Sequence, residues 1–184
     1  MKRQNPIQKA TRRIETEGRK HCLCIYSATA IALWLHWGKK QEAINRLFDL
    51  SHDVWNECAK DHDHSMIQMC EVETGIEIQN GDGKSWKDLH YLNGTIPECM
   101  TPAQVLYMRQ QQLKWIRPQV MACMLVALHR KYGFGFERCS RIYQQIQDIE
   151  AEYRGNPDRL RKACYETTGI DVAKTVTTDR RETA

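Results

Sequence analysis

At 184 residues, with 41% hydrophobic residues and a net charge of +4, the chain is long enough to bury one hydrophobic core. It contains no apolar run long enough for a transmembrane helix, and its basic, polar N-terminus lacks the pattern of a secretory signal peptide. We therefore expect a single domain over residues 1–184 in a soluble cytoplasmic protein, with no membrane partner.

Eight cysteines are distributed along the chain, mostly at apolar positions of helical patterns, and no two form a CxxC pair. A disulfide framework is typical of secreted domains, whereas buried free thiols are common in cytosolic proteins. We therefore expect reduced, buried cysteines with a packing role.

The chain begins with a basic arm, residues 1–19, which we expect to be mobile or to fold as a short helix because Gly18 interrupts the helical pattern. Residues 20–37 are apolar nearly all round, which is typical of a helix that neighbours bury on every side. Gly38 is expected to end this helix.

Two more helices are predicted in the first half of the chain. The first, about 39–60, has apolar residues at spacings of three and four. The second is short, about 64–74, with Asp63 as its N-cap and Gly75 just beyond its end.

A connector over residues 79–100 is rich in Asn-Gly, Asp-Gly and Pro signals, which predict a long ordered loop or a small hairpin. Thr101, followed by proline and then by a glutamine at the capping-box position, indicates the N-cap of a helix over about 102–131. We expect this helix to be kinked near Pro118.

The last part of the chain repeats the pattern of shorter helices. One is predicted over about 136–153, and the next begins after the N-cap Asn156 and ends at Gly169. Residues 173–184 are polar and are predicted to form a flexible tail.

The two halves of the chain resemble each other in sequence at an offset that is constant apart from one deleted residue. Matching pairs include Ala32 with Ala127, Gly38 with Gly133, Arg46 with Arg141, Cys70 with Cys164, and Gly75 with Gly169. We predict an all-α helical bundle of six or seven helices, built from two diverged three-helix repeats (residues 20–78 and 101–172) related by a pseudo-two-fold axis. The sequence leaves open whether the repeats pack within one chain or are exchanged between the chains of a homodimer.

Charge is strongly segregated: residues 1–20 and 84–131 are basic, and residues 47–83 are acidic. Such separation indicates two surfaces for different partners. Trp115 either offers a ring on which a base could stack or belongs to the core. The predicted nucleic-acid-binding residues are Arg12, Arg13, Arg19, Lys20, Lys84, Lys87, Arg109, Lys114 and Arg117. The predicted acidic partner-binding face comprises Asp49, Asp53, Glu57, Asp61, Asp63, Glu71 and Glu73.

The motif Asp61-His62-Asp63-His64 has the composition of a metal site, with His62 and His64 as weak candidate ligands. Alternating ligand types across a helix start would point neighbouring side chains in different directions. We therefore interpret the motif as an acidic capping loop and expect no metal and no cofactor.

Residues 80–85, NGDGKS, superficially resemble a phosphate-binding loop, but the spacing of the true motif and its preceding strand are missing, so a turn is expected. No nucleophile and base occur in a recognisable constellation. Acidic residues between Glu71 and Asp82 could serve a metal-dependent nuclease, yet nothing in the sequence fixes them on one face. The chain is therefore not expected to be an enzyme.

The segment ALHRKYGFGFERCSRIYQQIQDIEAEY, followed by a helix ending in CYETTGID, resembles a pattern in small proteins of phages and prophages of Gram-positive gut bacteria. The resemblance covers most of the second repeat and, more weakly, the first, and its glycines lie at turns and helix ends. With RQNPIQKATRRIETEGRKH at its start, the two-copy chain is similar to anti-CRISPR proteins that inhibit Cas9. This resemblance implies a location in the bacterial host cell and no catalytic residue. It implies surfaces that bind Cas9, with DNA or guide RNA as a further partner.

Two alternatives remain open. In the first, the chain is a phage DNA-binding or replication accessory protein, for which the basic residues alone matter. In the second, less favoured one, it is a metal-dependent nuclease that uses His62 and His64.

Overall fold

The fold is known from a computed structural model that describes residues 5–60, 66–80, 82–83 and 101–177. Within these ranges the chain is helical and has no strand, which confirms the all-α prediction. The seven helices found there are α1 (Pro6–Trp37), α2 (Gln41–Lys60), α3 (Met66–Thr74), α4 (Pro102–Tyr132), α5 (Phe136–Glu152), α6 (Pro157–Thr168) and α7 (Val172–Thr177).

The predicted N-caps of α4 and α6 are confirmed. The Thr101 hydroxyl accepts from the Gln104 amide, and the Gln104 side chain accepts from the Thr101 amide at 2.8 Å, which completes a capping box. The Asn156 side chain accepts from two backbone amides of the first turn of α6. These contacts satisfy amides that a helix cannot pair internally.

Glycines end both long helices, as predicted for Gly38. Gly38 follows α1 with φ of 59°, and Gly133 follows α4 with φ of 61°. Because this left-handed conformation is unfavourable for a residue with a Cβ, both positions favour glycine.

The prediction of a mobile arm or a short helix over residues 1–19 is partly wrong: the chain is helical from Pro6 onwards, but α1 runs through Gly18 without a break, so these residues do not form a separate helix. The Asn5 side chain accepts from the Ile7 amide and Pro6 occupies the first turn, so the helix has a complete start signal. One internal glycine costs about 1 kcal/mol. Ile14 packs against the core and helps to offset that cost.

The predicted tail over residues 173–184 is also partly wrong, because α7 continues the fold to Thr177. Val172, the first residue of α7, is fully buried in the hydrophobic core, and α7 packs against α1 and α6. Burial of Val172 therefore anchors the start of α7 in the core.

The two long helices run parallel, side by side. Near their N-terminal halves, Gly18 of α1 faces Ile116 of α4: a Cβ atom added to Gly18 would lie 3.5 Å from Cγ2 of Ile116. Further along, the ring centroids of Trp37 and Phe134 are 4.6 Å apart, just beyond the end of α4. Because both contacts join residues at nearly the same sequence offset, the N-termini of α1 and α4 point in the same direction.

The shorter helices pack on the long helix from the other half of the sequence. Helix α1 contacts α5 and α6 extensively, whereas α4 contacts α2 and α3. The core lies along the pair α1 and α4, where residues 24–33 and 120–128 are buried without interruption.

Helices α3 and α6 end in the same way. Thr74 and Thr168 each donate a hydroxyl hydrogen bond to the carbonyl four residues earlier, at 2.7 and 2.8 Å. Each hydroxyl also accepts from the backbone amide two residues later, at 3.2 and 3.1 Å. Both side chains are buried, so these bonds satisfy backbone groups that water cannot reach.

Seven of the cysteines lie in the described ranges, and all seven are free thiols, six of them buried. Burial raises the pKa of Cys70 to about 12 and the pKa of Cys24 and of Cys139 to about 11. These thiols stay protonated at neutral pH, which suits apolar packing and disfavours metal binding.

Candidate nucleic-acid interface

The N-terminal halves of α1 and α4 leave the core and are exposed or half-buried over most of their length. Since the helices are parallel, both halves lie at the same end of the molecule. Seven of the nine predicted nucleic-acid-binding residues are here, and we call this surface the basic end: Arg12, Arg13, Arg19, Lys20, Arg109, Lys114 and Arg117. Lys84 and Lys87 lie outside the described residues.

On α1, the cations of the basic end face solvent. Arg12, Arg13 and Arg19 are exposed and form no salt bridge with any side chain that the structure describes. Lys20 pairs with Glu17 at 3.0 Å, and this hydrogen bond lowers the pKa of Glu17. An exposed pair of this kind is weak and can open to accept another anion.

On α4, the cations are more engaged. Lys114 Nζ lies 2.6 Å from Asp82 Oδ2 in an exposed pair, and the Arg109 side chain donates to Gln112 Oε1 at 2.9 Å. Arg117 Nη2 lies 2.5 Å from Oε2 of Glu150, which is 8% exposed. Arg117 therefore connects α4 to α5 as well as contributing charge to the surface.

The pKa of His21, on α1, responds to a cation on α4. Burial lowers the pKa of His21 most, followed by the positive charge of Arg117; Glu17 raises the pKa and Lys20 lowers it, both by less. Arg117 on α4 thus acts on a side chain of α1.

Trp115, for which the sequence left open a stacking role or a core position, belongs to the core. Trp115 is 2% exposed and cannot reach a base. Tyr107, which the sequence analysis did not select, is 60% exposed on the same half of α4. Its ring is available to stack on an unpaired base.

Part of the predicted acidic face is neutralised by an arginine, which the net charges of the sequence segments did not indicate. Arg130, from the basic stretch, lies 2.6 Å from Glu57 and 2.6 Å from Glu73. The hydrogen bond from Arg130 lowers the pKa of Glu57, and the two carboxylates raise the pKa of Arg130. Because α4 packs on both α2 and α3, a cation distant in sequence neutralises part of the acidic zone.

Asp49 and Asp53 remain exposed on α2, and Glu71 is half-buried on α3. Asp49 and Asp53 line an open groove of about 970 Å³ between α2 and the α6–α7 region, together with the exposed rings of Trp55 and Tyr165. The other two acidic residues of this prediction, Asp61 and Asp63, lie outside the described residues.

The predicted turn at the start of the connector is present where the structure describes it. The Gly83 amide donates to the Asn80 carbonyl at 2.9 Å, and the Asn80 side chain accepts from the Asp82 amide at 2.9 Å. The remainder of the connector and the pair His62 and His64 lie outside the described residues.

Among the residues that the structure describes, no group of three or more His, Cys, Asp or Glu side chains could hold a metal ion. Over the same residues, no helix is both long and apolar enough to cross a membrane.

The chain matches no protein-family model, no curated protein and no solved structure. The geometry and charge of the basic end are therefore the grounds on which a function can be assigned.

Proposed function

We propose that the chain binds nucleic acid through the basic end, as a non-catalytic phage accessory protein. The observation that carries this proposal is the parallel course of α1 and α4, which directs two cationic helix halves to one end of the molecule. Arg12, Arg13 and Arg19 are exposed there beside the α4 cations. Cations without carboxylate partners are free to replace the counterions of phosphates.

The distribution of groups favours contact with the backbone over reading of base edges. Arginine and lysine dominate the surface, and contacts from these side chains to phosphates position a protein without specifying a sequence. Tyr107 adds a stacking group, which supports binding to single strands as well as to duplexes.

We further propose that the fold consists of two three-helix units related by a pseudo-two-fold axis and intertwined within one chain. The parallel long helices, the reciprocal packing of short helices on long ones, and the matching hydrogen bonds of Thr74 and Thr168 all support this relation. Arg19, which directly precedes the first repeat, and Lys114 are separated by the same sequence offset as the matched pair Ala32 and Ala127. The axis would then pass through the basic end, with both units contributing to it.

Inhibition of Cas9 is the second candidate function, and the observation that favours it is the separate exposed pair Asp49 and Asp53 on α2. Cas9 holds nucleic acid in positively charged channels, which an acidic surface could enter. Because Glu57 and Glu73 are bound by Arg130, this acidic surface is smaller than the sequence suggests. The geometry therefore supports nucleic-acid binding more strongly.

Fluorescence anisotropy of labelled duplex and single-stranded DNA tests the primary proposal. The wild-type protein should bind with an affinity that falls linearly on a log–log plot against salt. Replacing Arg12 and Arg13 by alanine should weaken binding about tenfold and reduce the salt slope by about 1–2. The matched control replaces Arg46 and Lys162, exposed cations that already have carboxylate partners, and should change little. Equal losses in both variants would overturn the assignment to the basic end.

Addition of the protein to guide-loaded Cas9 separates the two candidates. An inhibitor of the nuclease should suppress target cleavage at near-stoichiometric amounts, and charge reversal at Asp49 and Asp53 should weaken it. A nucleic-acid-binding protein should inhibit only by coating the target, so that excess non-target DNA restores cleavage.

Incubation of the protein alone with DNA in magnesium or manganese should leave the DNA intact. Cutting abolished by Glu77→Ala or Asp82→Ala would favour a nuclease.

A further inference from the structure

A second cationic surface lies at the other end of the two long helices. Trp37 ends α1, Tyr132 ends α4, and Phe134 lies between their rings, with centroid distances of 4.6 and 5.8 Å. Three cations, Lys39, Arg138 and Arg141, surround these rings. We call the six residues Trp37, Lys39, Tyr132, Phe134, Arg138 and Arg141 the aromatic end.

The rings are held in place by polar contacts at their edges. The indole nitrogen of Trp37 donates to Gln145 Oε1 at 2.9 Å, and the Tyr132 hydroxyl donates to the Ala43 carbonyl at 2.8 Å. Phe134 is 2% exposed. The aromatic cluster is therefore a fixed platform and not a set of mobile surface side chains.

Each cation is positioned over one ring. Lys39 Nζ lies 4.3 Å from the Tyr132 centroid, and the guanidinium carbons of Arg141 and Arg138 lie 5.9 Å from the centroids of Trp37 and Phe134. Such contacts are individually weak at exposed sites. They restrict the cations without neutralising their charge, and a guanidinium on a ring face keeps its edge N–H groups for an anion.

The cations of the aromatic end are not paired with carboxylates of the residues that the structure describes. Arg138 and Arg141 are exposed, Lys39 is half-buried, and none of the three forms a salt bridge with a side chain in the described part of the chain. The exposed Lys40 and Lys131 neighbour it in sequence and add positive charge. By contrast, the acidic Glu42 is already paired with Arg46.

The two cationic surfaces face different directions along the same helices. Gly18, at the level of the basic end, and Trp37, at the aromatic end, are separated by 19 residues of continuous helix α1. At 1.5 Å per residue, this separation is roughly 28 Å. One duplex segment in contact with the basic end would leave the aromatic end accessible.

We propose that the aromatic end is a second phosphate-binding surface, which allows one molecule to hold two segments of nucleic acid at the same time. The inference rests on the proposed function, because a chain that binds nucleic acid at one end makes phosphates the chemically consistent partner at the other. The planar forks of Arg138 and Arg141 match phosphate oxygens in a bidentate manner. Both surfaces are needed for bridging, but either one alone is sufficient for simple binding.

A bridging assay tests this proposal. One duplex is fixed to beads, and capture of a second, labelled duplex is measured after addition of the full-length protein. The wild type should capture the label, and the variant with Arg138→Ala and Arg141→Ala should reduce capture about tenfold or more while its affinity for a single duplex changes by less than about threefold. Arg138→Lys with Arg141→Lys keeps the charge but removes the planar forks, so its capture should lie between that of the alanine variant and that of the wild type.

The controls separate this inference from the proposed function. Replacing Arg159 and Lys162 on α6 removes the same amount of charge elsewhere and should leave capture intact. If the wild-type protein binds one duplex but captures no second one, this inference is overturned and the proposed function is not. Capture that survives in the Arg138→Ala, Arg141→Ala variant would do the same, and would assign bridging to dimerisation or to another surface. Absence of any binding to DNA would overturn both proposals and leave an acidic protein as the partner to seek.

Discussion

Within each of the two long helices, the N-terminal and C-terminal halves differ in burial and charge more than α1 differs from α4. In their C-terminal halves, residues 24–33 and 120–128 are buried on all sides, because three or more neighbouring helices surround them. In their N-terminal halves they carry exposed cations. A continuous helix can thus serve the core in one half and recognition in the other. Substitutions should therefore separate stability from binding according to position along the helix.

The largest effect is expected in the buried half. Leu33 is fully buried, and Leu33→Ala should lower the free energy of unfolding by about 2–5 kcal/mol through lost transfer energy and the cavity left behind. Leu35, two residues later and 60% exposed, is the matched control. Leu35→Ala should change the free energy of unfolding by less than about 0.5 kcal/mol. Urea denaturation measures both. Equal losses would contradict the assignment of burial along α1.

The next effect is expected at the boundary between the two halves. Arg117→Ala leaves the buried carboxylate of Glu150 without its guanidinium and should cost about 1–3 kcal/mol of stability. Lys114→Ala removes a partner from an exposed pair and should cost less than about 1 kcal/mol. If denaturation shows Arg117→Ala to be as stable as the wild type while DNA affinity falls, Arg117 belongs to the binding surface alone.

A similar but smaller effect should recur in both halves of the chain. Thr74→Val and Thr168→Val each keep the side-chain shape and remove the same two hydrogen bonds at a helix end. Each substitution should lower the free energy of unfolding by about 1–2 kcal/mol, since a buried amide loses its acceptor. Clearly unequal values in thermal or chemical denaturation would weaken the proposed equivalence of the two units.

The smallest effect concerns pH. Because burial and Arg117 lower the pKa of His21 below the ordinary value near 6.5, the unfolded chain takes up a proton before the folded protein does. The contribution of neutral His21 to the free energy of unfolding is therefore fully present above about pH 6.5. It is lost as the pH falls through the folded-state pKa. Denaturation between pH 7.5 and 5 should show a shallower loss of stability in His21→Asn than in the wild type. Identical slopes would show that His21 is solvated in the folded state.

Local chemistry explains why most helices could be predicted from the sequence. Thr101, Asn156, Gly38 and Gly133 each satisfy the backbone requirements of a helix end, and such signals depend on a few adjacent residues. The start of α1 differs from the prediction because the complete N-cap at Asn5 and Pro6 outweighs one glycine inside the helix.

The candidate site was less predictable because it depends on tertiary packing. Counting charges by segment placed Arg130 apart from Glu57 and Glu73, which lie 73 and 57 residues away in sequence but contact it in the fold. The arginines at the aromatic end lie on α5, within the second repeat, whereas the aromatic rings beside them come from the ends of both long helices and from Phe134. Only the parallel arrangement of α1 and α4 brings these groups together, and no local pattern encodes it.

Hydrogen exchange of the protein with and without duplex DNA tests most directly the claim that the N-terminal halves bind nucleic acid. The account predicts slower amide exchange in residues 6–22 and 102–114 when DNA is added, with no change in residues 41–57 of α2. The effect should disappear at high salt, and the Arg12→Ala, Arg13→Ala variant should need about tenfold more DNA to reach the same protection. Protection confined to α2, or no protection in either N-terminal half despite measurable binding, would contradict it.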